Sequence, residues 1–228
     1  MIKHILIDLD DTVLDFRRCE AEALKLALAE CGIEPTEHTV RRYSEINDAG
    51  WKKLEAGLIT RERLLVWRFE ELFSELGVIA DAEEVNAAYK LRLSEQCFFV
   101  DGAPEMLDAL YGKYRLYLAS NGTAVVQDGR IARAGIAKYF DRIFISQRLG
   151  FNKPDPRFFD AAFDAIGDAK REETVIVGDS PSSDIRGGMN AGIRTVWFDP
   201  DGKALPPGIT PTFIVRTLAE VPSVIGRI

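Results

Sequence analysis

Five short apolar runs, HILIDLD, YRLYLASNG, FDRIFIS, ETVIVGDS and RTVWFD, recur along this 228-residue chain, with a weaker one at PTFIV. Between the later runs lie segments with helical spacing: Glu105 to Leu110, Val125 to Ala134, Pro156 to Ile166, and Asp184 to Ala191. Strand–helix–strand alternation predicts an α/β fold, with a mostly parallel sheet covered by helices on both faces. Val175-Ile176-Val177 is apolar without alternation, as a strand buried on both faces should be.

One stretch breaks the rhythm. From about Arg17 to about Gln96 there is no convincing strand, only helical pattern rich in Glu, Leu, Ala and Arg. Leu24, Leu26 and Leu28 belong to one helix; Leu64, Leu65, Trp67, Phe69, Leu72 and Phe73 belong to another. GIEPTEH and ELGVIADAEE read as connectors between helices by their Gly, Pro and acidic content. The expected division is an α/β core of residues 1–15 and 97–228, with an all-helical domain of residues 16–96 inserted after the first strand. A hinge is placed near Asp15 and Cys97, where the helical stretch starts and stops.

Composition removes several classes of function. Apolar content of 46% and charged content of 29% are ordinary for a soluble globular chain. A net charge of -7 argues against nucleic acid or an acidic membrane as partner, since Lys and Arg charge holds both. Cys19, Cys31 and Cys97 are scattered and odd in number, so neither a disulfide framework nor a zinc site is expected. His4 and His38, the only histidines, lie far from any nucleophile pattern, which argues against Ser-His-Asp and Cys-His chemistry. No apolar stretch approaches the ~18 residues of a membrane span, and the expected location is cytoplasmic.

In open α/β sheets, ligands bind outside the carboxyl ends of the strands. The first run is followed by Asp8, Asp10, Asp11 and Thr12, and the second ends on Ser120, Asn121, Gly122 and Thr123. Past the third comes NKPD with Lys153, and after the fourth GDSPSSD with Asp179 and Asp184. Each has an ordinary explanation. Acids at strand ends form turns, Ser-Asn-Gly is a common turn, a loop lysine is usually solvated, and Ser182 or Ser183 could simply cap a helix. Their succession, one group after each strand, is what chance does not readily supply. Together they suit a metal ion and an anion.

DLDDT, the Ser-Asn-Gly strand end, the Lys-Pro-Asp loop and GDSPSSD resemble the four motifs of the haloacid dehalogenase (HAD) superfamily, in order and across essentially the whole chain. The helical insertion resembles that superfamily's C1 cap. NDAGWKKLEAGLITRERLLVWRF and GDSPSSDIRGGMNAGIRTVWF resemble its branch of noncanonical pyrimidine 5'-nucleotidases. The resemblance implies a Rossmann-like three-layer core with an inserted helical cap. It also implies a Mg²⁺-dependent phosphatase that hydrolyses small phosphomonoesters through an aspartyl-phosphate.

On that reading Asp8 is the nucleophile and Asp10 the general acid and base. Asp8, Asp10 (through its carbonyl) and Asp179 hold Mg²⁺, with Asp184 orienting Lys153 or the metal's surroundings. Ser120, the N–H of Asn121 and Lys153 hold the phosphoryl oxygens. Asp11 is expected to shape the loop. The carboxylate at Asp10 argues against a dehalogenase, whose reaction has no alkoxide to protonate. The expected substrate is a pyrimidine nucleoside 5'-monophosphate; the alternatives are phosphoglycolate or a sugar phosphate. A catalytically silent regulatory or binding protein, which should have lost one of these residues, is the reading from another class. The expected partner is a small phosphorylated metabolite, with no nucleic acid polymer or membrane, and the protein is a monomer or small homo-oligomer. Phe16, Arg17, Trp51, Trp67 and Arg68 could meet a base or ribose, but aromatics at helical spacing are ordinarily core.

Overall fold

A computed structural model describes residues 1–227. The first strand, β1 (His4–Ile7), leads into four helices: α1 (Phe16–Glu30), α2 (Glu37–Glu55), α3 (Arg61–Leu76) and α4 (Ala82–Ser94). Alternation then resumes with α5 (Ala103–Leu110), β2 (Arg115–Ser120), α6 (Ala124–Ala134), β3 (Arg142–Ile145), α7 (Ser146–Leu149) and α8 (Pro156–Ile166). The chain finishes with β4 (Thr174–Gly178), α9 (Arg186–Asn190), β5 (Arg194–Phe198), β6 (Phe213–Val215) and α10 (Val221–Ile225). All six strands are parallel, in the order β3-β2-β1-β4-β5-β6. The weak PTFIV run is therefore a true edge strand.

Alternate residues of each strand face opposite ways, so a two-faced sheet needs two cores. Ile5, Ile7, Leu118, Val175 and Val177 pack with Met106, Leu107, Ile131 and Val221. On the other face, Leu6, Tyr117, Ala119 and Ile176 pack with Phe158, Phe159 and Ala162 of α8. Gly187 and Gly188, in the GGMNAG stretch, serve this second packing. A Cβ on Gly187 would meet Phe159 at 2.7 Å, and one on Gly188 would meet Thr195 and Ile176 at 2.5 and 2.6 Å.

The helices α1–α4 surround a third cluster, in which Leu24, Leu28, Tyr43, Phe69, Leu72, Phe73 and Tyr89 are buried together with Val126 from α6. Leu26, expected on the same footing as Leu24 and Leu28, is 45% exposed, because it lies off the apolar face that α1 turns inward. The two segments joining these helices to the sheet run side by side. Asp15 N–H donates to Phe98 O at 2.9 Å and Val100 N–H to Val13 O at 3.1 Å.

The sheet order puts β1 at its middle, with β2 on one side and β4 on the other. This is the switch point at which open α/β sheets form their crevice. Ile7 pairs in register with Leu118 and with Val177, so Asp8, Ala119 and Gly178 emerge level with one another.

Candidate active site

Lys153 is where the strand ends meet. Its side chain is 1% exposed, and its ammonium donates to Asp8 Oδ1, Asp184 Oδ1 and Ala119 O, each at 2.6 Å. An ammonium has three protons, and all three are committed. Burial alone would lower its pKa, but Asp184 and Asp8 outweigh that and raise it. The lysine is therefore a fixed positive charge beside Asp8. A direct contact to an incoming anion requires one of the three bonds to be exchanged.

One ammonium does not balance the acids around it. Asp8, Asp179 and Asp184 each bring a carboxylate oxygen within 4.8 Å of the others. Burial holds Asp8 well above the usual carboxylate range, partly offset by Lys153, with Asp184 and Asp10 adding to the rise. Asp179 is raised in the same way by burial and then by Asp8 and Asp184. Burial, reinforced by Asp10, also pushes Asp11 up to about 6. Three clustered carboxylates, of which Asp8 and Asp179 resist ionising, form a donor set suited to a hard divalent cation, which takes oxygen ligands. Asp184 already spends Oδ1 on Lys153 and accepts the Ser180 N–H at Oδ2, 3.1 Å away. Asp8 and Asp179 carry the freer oxygens.

Both ends of the Asp179 backbone are pinned. Its N–H donates to Thr12 Oγ1 at 3.1 Å, and its carbonyl accepts Trp197 Nε1 at 2.8 Å. Gly178 before it admits no side chain, since a Cβ there would lie 2.3 Å from Asp184 Oδ2. Asp11 adopts φ 58°, in the left-handed region that Asp tolerates, and its Oδ1 accepts the N–H groups of Phe16 and Arg17. It shapes the start of α1, as a turn former should.

Ser120, at the end of β2, is fully buried. Its Oγ accepts Gly122 N–H at 3.0 Å and Gln127 Nε2 at 2.8 Å. With both lone pairs occupied, the hydroxyl proton is available to an acceptor. The Asn121 side chain joins two loops: Nδ2 donates to Lys153 O, and Lys153 N–H donates back to Oδ1, both at 2.8 Å.

The family model of the haloacid dehalogenase-like hydrolases matches residues 2–192, which carry all of these groups except Trp197. The chain belongs to that family. It is similar to the HAD-hydrolase YfnB of Bacillus subtilis, with 36% identity over 219 residues, covering 96% of this chain and 93% of the relative. It is also similar to the pyrimidine 5'-nucleotidase PynA of Streptococcus pneumoniae, with 39% identity over 199 residues, covering 87% of this chain and 84% of the relative. A crystal structure of the Bacillus subtilis protein, bound to magnesium and described as revealing interdomain movement, superposes with a TM-score of 0.94 at 35% identity, covering 98% of each chain. An L-2-haloacid dehalogenase from Xanthobacter autotrophicus shares the fold at TM-score 0.80 and 17% identity, covering the whole of both chains.

Within this HAD-like framework the sequence pattern missed an inner ring of residues. Gln127 Nε2 donates to Asp10 Oδ2 at 2.6 Å as well as to Ser120, and Arg130 Nη1 pairs with Asp10 Oδ1. Gln127 is 2% and Arg130 0% exposed, and both sit on the face of α6 that carries the buried Val126 and Ile131. Two long polar residues three apart on a buried helical face were the available signal. Gly122 makes room for this arrangement, because a Cβ there would lie 2.1 Å from Gln127 Nε2.

A cavity of about 220 Å³ opens above the acids, walled by Asp8, Asp10 and Asp179 below and by Phe16, Trp51 and Arg68 above. Those last three, set aside as packing residues by their helical spacing, face the cavity. Trp67 and Arg17 do not line it. Trp67 packs on the helical cluster under Lys53, and Arg17 lies at the surface near Asp11 and Asp48. Arg68 also does structural work, donating to Asn47 and Asn86. Among the described residues no helix is long and apolar enough to cross a membrane.

Proposed function

We propose that this chain is a magnesium-dependent phosphomonoesterase acting on pyrimidine nucleoside 5'-monophosphates. The observation carrying the reaction is the cluster of Asp8, Asp179 and Asp184 around Lys153, roofed by a cavity and flanked by the tethered Asp10. The substrate class rests on the identities of 39% and 31% to the pyrimidine 5'-nucleotidases PynA and YjjG. A dehalogenase is disfavoured by the carboxylate at Asp10 and by the distance to most dehalogenase structures.

Asp8, the carbonyl of Asp10 and Asp179 would hold Mg²⁺, which when bound supplies positive charge to neutralise the phosphoryl oxygens. An oxygen of Asp8 attacks phosphorus, a P–O bond forms to Asp8, and the ester P–O bond breaks. Asp10 gives its proton to the departing alkoxide. In the second half Asp10 takes a proton from water as the water oxygen bonds to phosphorus. The bond to Asp8 then breaks and inorganic phosphate leaves. Lys153 offsets the charge of Asp8 and so eases approach of a phosphate dianion, while Ser120 and the Asn121 N–H donate to the phosphoryl oxygens.

Residues 16–96 act as the cap, hinged where Asp15 pairs with Phe98 and Val13 with Val100, and the interdomain movement described for the Bacillus subtilis relative supports this. A cytoplasmic enzyme acting on small metabolites fits both the acidic charge and the absence of a spanning helix among the described residues.

The test is phosphate release from a panel with Mg²⁺ and with EDTA. The panel holds uridine, thymidine, deoxyuridine and 5-halogenated pyrimidine monophosphates, beside phosphoglycolate and sugar phosphates. Preferential cleavage of the pyrimidine nucleotides is expected. Preference for phosphoglycolate or a sugar phosphate would keep the mechanism and discard the substrate.

A further inference from the structure

Arg61 follows the Thr60 cap as the first residue of α3, a position where an arginine ordinarily extends into solvent. Here it is 8% exposed, and its hydrogen-bond partners all lie outside α1–α4. Nη1 donates to Asn121 O at 2.9 Å and to Gly122 O at 3.1 Å. Nη2 donates to Ser146 Oγ at 2.7 Å and to Asn152 Oδ1 at 2.5 Å. All four acceptors are neutral. No ion pair among the described residues includes Arg61, and burial lowers its pKa. A buried cation without a counter-charge is costly, so it persists only where its hydrogen bonds are well met.

The place it reaches is the junction of two loops. One carries Ser120 and Asn121, the other Lys153, and the Asn121 side chain already ties them together. The peptide between Asn121 and Gly122 accepts from Arg61 at its carbonyl and donates from its N–H to Ser120 Oγ. A continuous hydrogen-bond chain therefore runs from the α3 guanidinium, through one peptide unit, to the Ser120 hydroxyl. Donors in such a chain polarise one another. The same guanidinium lies 5.4 Å from the ring centre of Trp51, a wall of the cavity.

We propose that Arg61 is a positioning residue that couples cap closure to assembly of the phosphate-holding loop. With the cap closed, Arg61 fixes the 121–122 peptide and points the Ser120 hydroxyl outward. When α3 withdraws, both carbonyls lose their donor and the loop slackens. Loop order and exclusion of water then arrive in the same motion. The inference rests on the reading of residues 16–96 as a cap over a phosphate site.

The experiment compares the full chain with Arg61→Met, which keeps the stem, and Arg61→Lys, which keeps the charge but lacks the planar fork. Three quantities are measured: kcat and KM with p-nitrophenyl phosphate, binding of inorganic phosphate with Mg²⁺ by calorimetry, and the thermal midpoint. For Arg61→Met, kcat should fall about ten- to a hundredfold and phosphate affinity about tenfold, with Arg61→Lys in between. A staple with no role in positioning would lower only the midpoint. Folded Arg61→Met with kcat and phosphate affinity both within about twofold of the parent overturns the inference. If Arg61→Met does not fold, Arg61→Lys is judged by the same criterion. A parent that releases no phosphate from any ester but binds phosphate in an Arg61-dependent way upholds the coupling and overturns the phosphatase reading. A parent that does neither overturns both.

Discussion

Arg130, wholly buried on α6, is paired with Asp10 across 120 residues of sequence, and Gln127 on the same helix holds the other oxygen of that carboxylate. Of the Arg130 side chain, Nε and Nη2 have no partner, so Asp10 and the Gln127 carbonyl carry its hydrogen bonding. Asp10 is thereby aimed by α6 rather than by its own loop. Arg130→Met should cost about ten- to a hundredfold in kcat with alkyl phosphates, whose alkoxides need a proton. With p-nitrophenyl phosphate, whose leaving group needs little help, the loss should be clearly smaller. The ratio of the two losses is the measurement; equal losses would mean that Arg130 serves the fold and not Asp10.

Asp8 is the acid nearest to Lys153 with an oxygen to spare, since Oδ1 alone accepts the ammonium. Asp8→Asn should lower turnover by about 10⁴-fold or more, as removal of a covalent nucleophile does. A rapid acid quench of the parent during turnover should trap label from a ³²P-ester on the protein, and the variant should trap none. Label retained on Asp8→Asn would move the nucleophile elsewhere.

The strand ends were legible because β-strands deliver their last residues to one edge, so Asp8, Ser120 and Asp179 could be placed from order along the chain alone. Lys153 followed from its loop. Gln127, Arg130 and Arg61 were not legible, because each acts through tertiary contact over at least 60 residues, and Thr12 was read at its strand end without its contact to Asp179 for the same reason. Nothing local separates a buried Arg130 from the exposed Arg133 on the same helix except the face it occupies. The aromatics show the converse. Helical spacing could not distinguish Trp51, which faces the cavity, from Trp67, which packs on the helical cluster, since both are half-buried aromatics on amphipathic helices.

The crowded acids predict a stability response to metal. In the absence of a cation, Asp8 is raised by burial and then by Asp184 and Asp10, and Asp179 by burial and then by Asp8 and Asp184, so ionising both opposes the folded state. A divalent ion relieves that repulsion, and any ligand specific to the folded state stabilises it by mass action. At about 100 times its dissociation constant, Mg²⁺ should add about 2.7 kcal/mol. A magnesium titration of the thermal midpoint checks this, and EDTA should silence turnover until Mg²⁺ is restored. Asp179→Asn should abolish most of the midpoint shift; an undiminished shift would place the ion elsewhere.

Glu20 gives the helical unit a pH dependence of its own. It is buried beneath α2, accepts Ser44 Oγ at 2.6 Å and Asn47 Nδ2 at 2.7 Å, and Asn47 in turn accepts from Arg68. Burial pushes its carboxyl up to about 7 from 4.5, against the opposing effect of the Ser44 hydroxyl. The folded chain thus keeps this proton at pH values where the unfolded chain has released it. Between about 4.5 and about 7 the folded state binds more protons, so stability falls as pH rises. Below that window the contribution is fully present, and above it about 3 kcal/mol has been lost. Glu20→Gln retains the shape and removes the titration. Urea unfolding at pH 5, 6 and 7 should show a flatter pH dependence for the variant than for the parent, and superimposable slopes would assign the dependence to other groups.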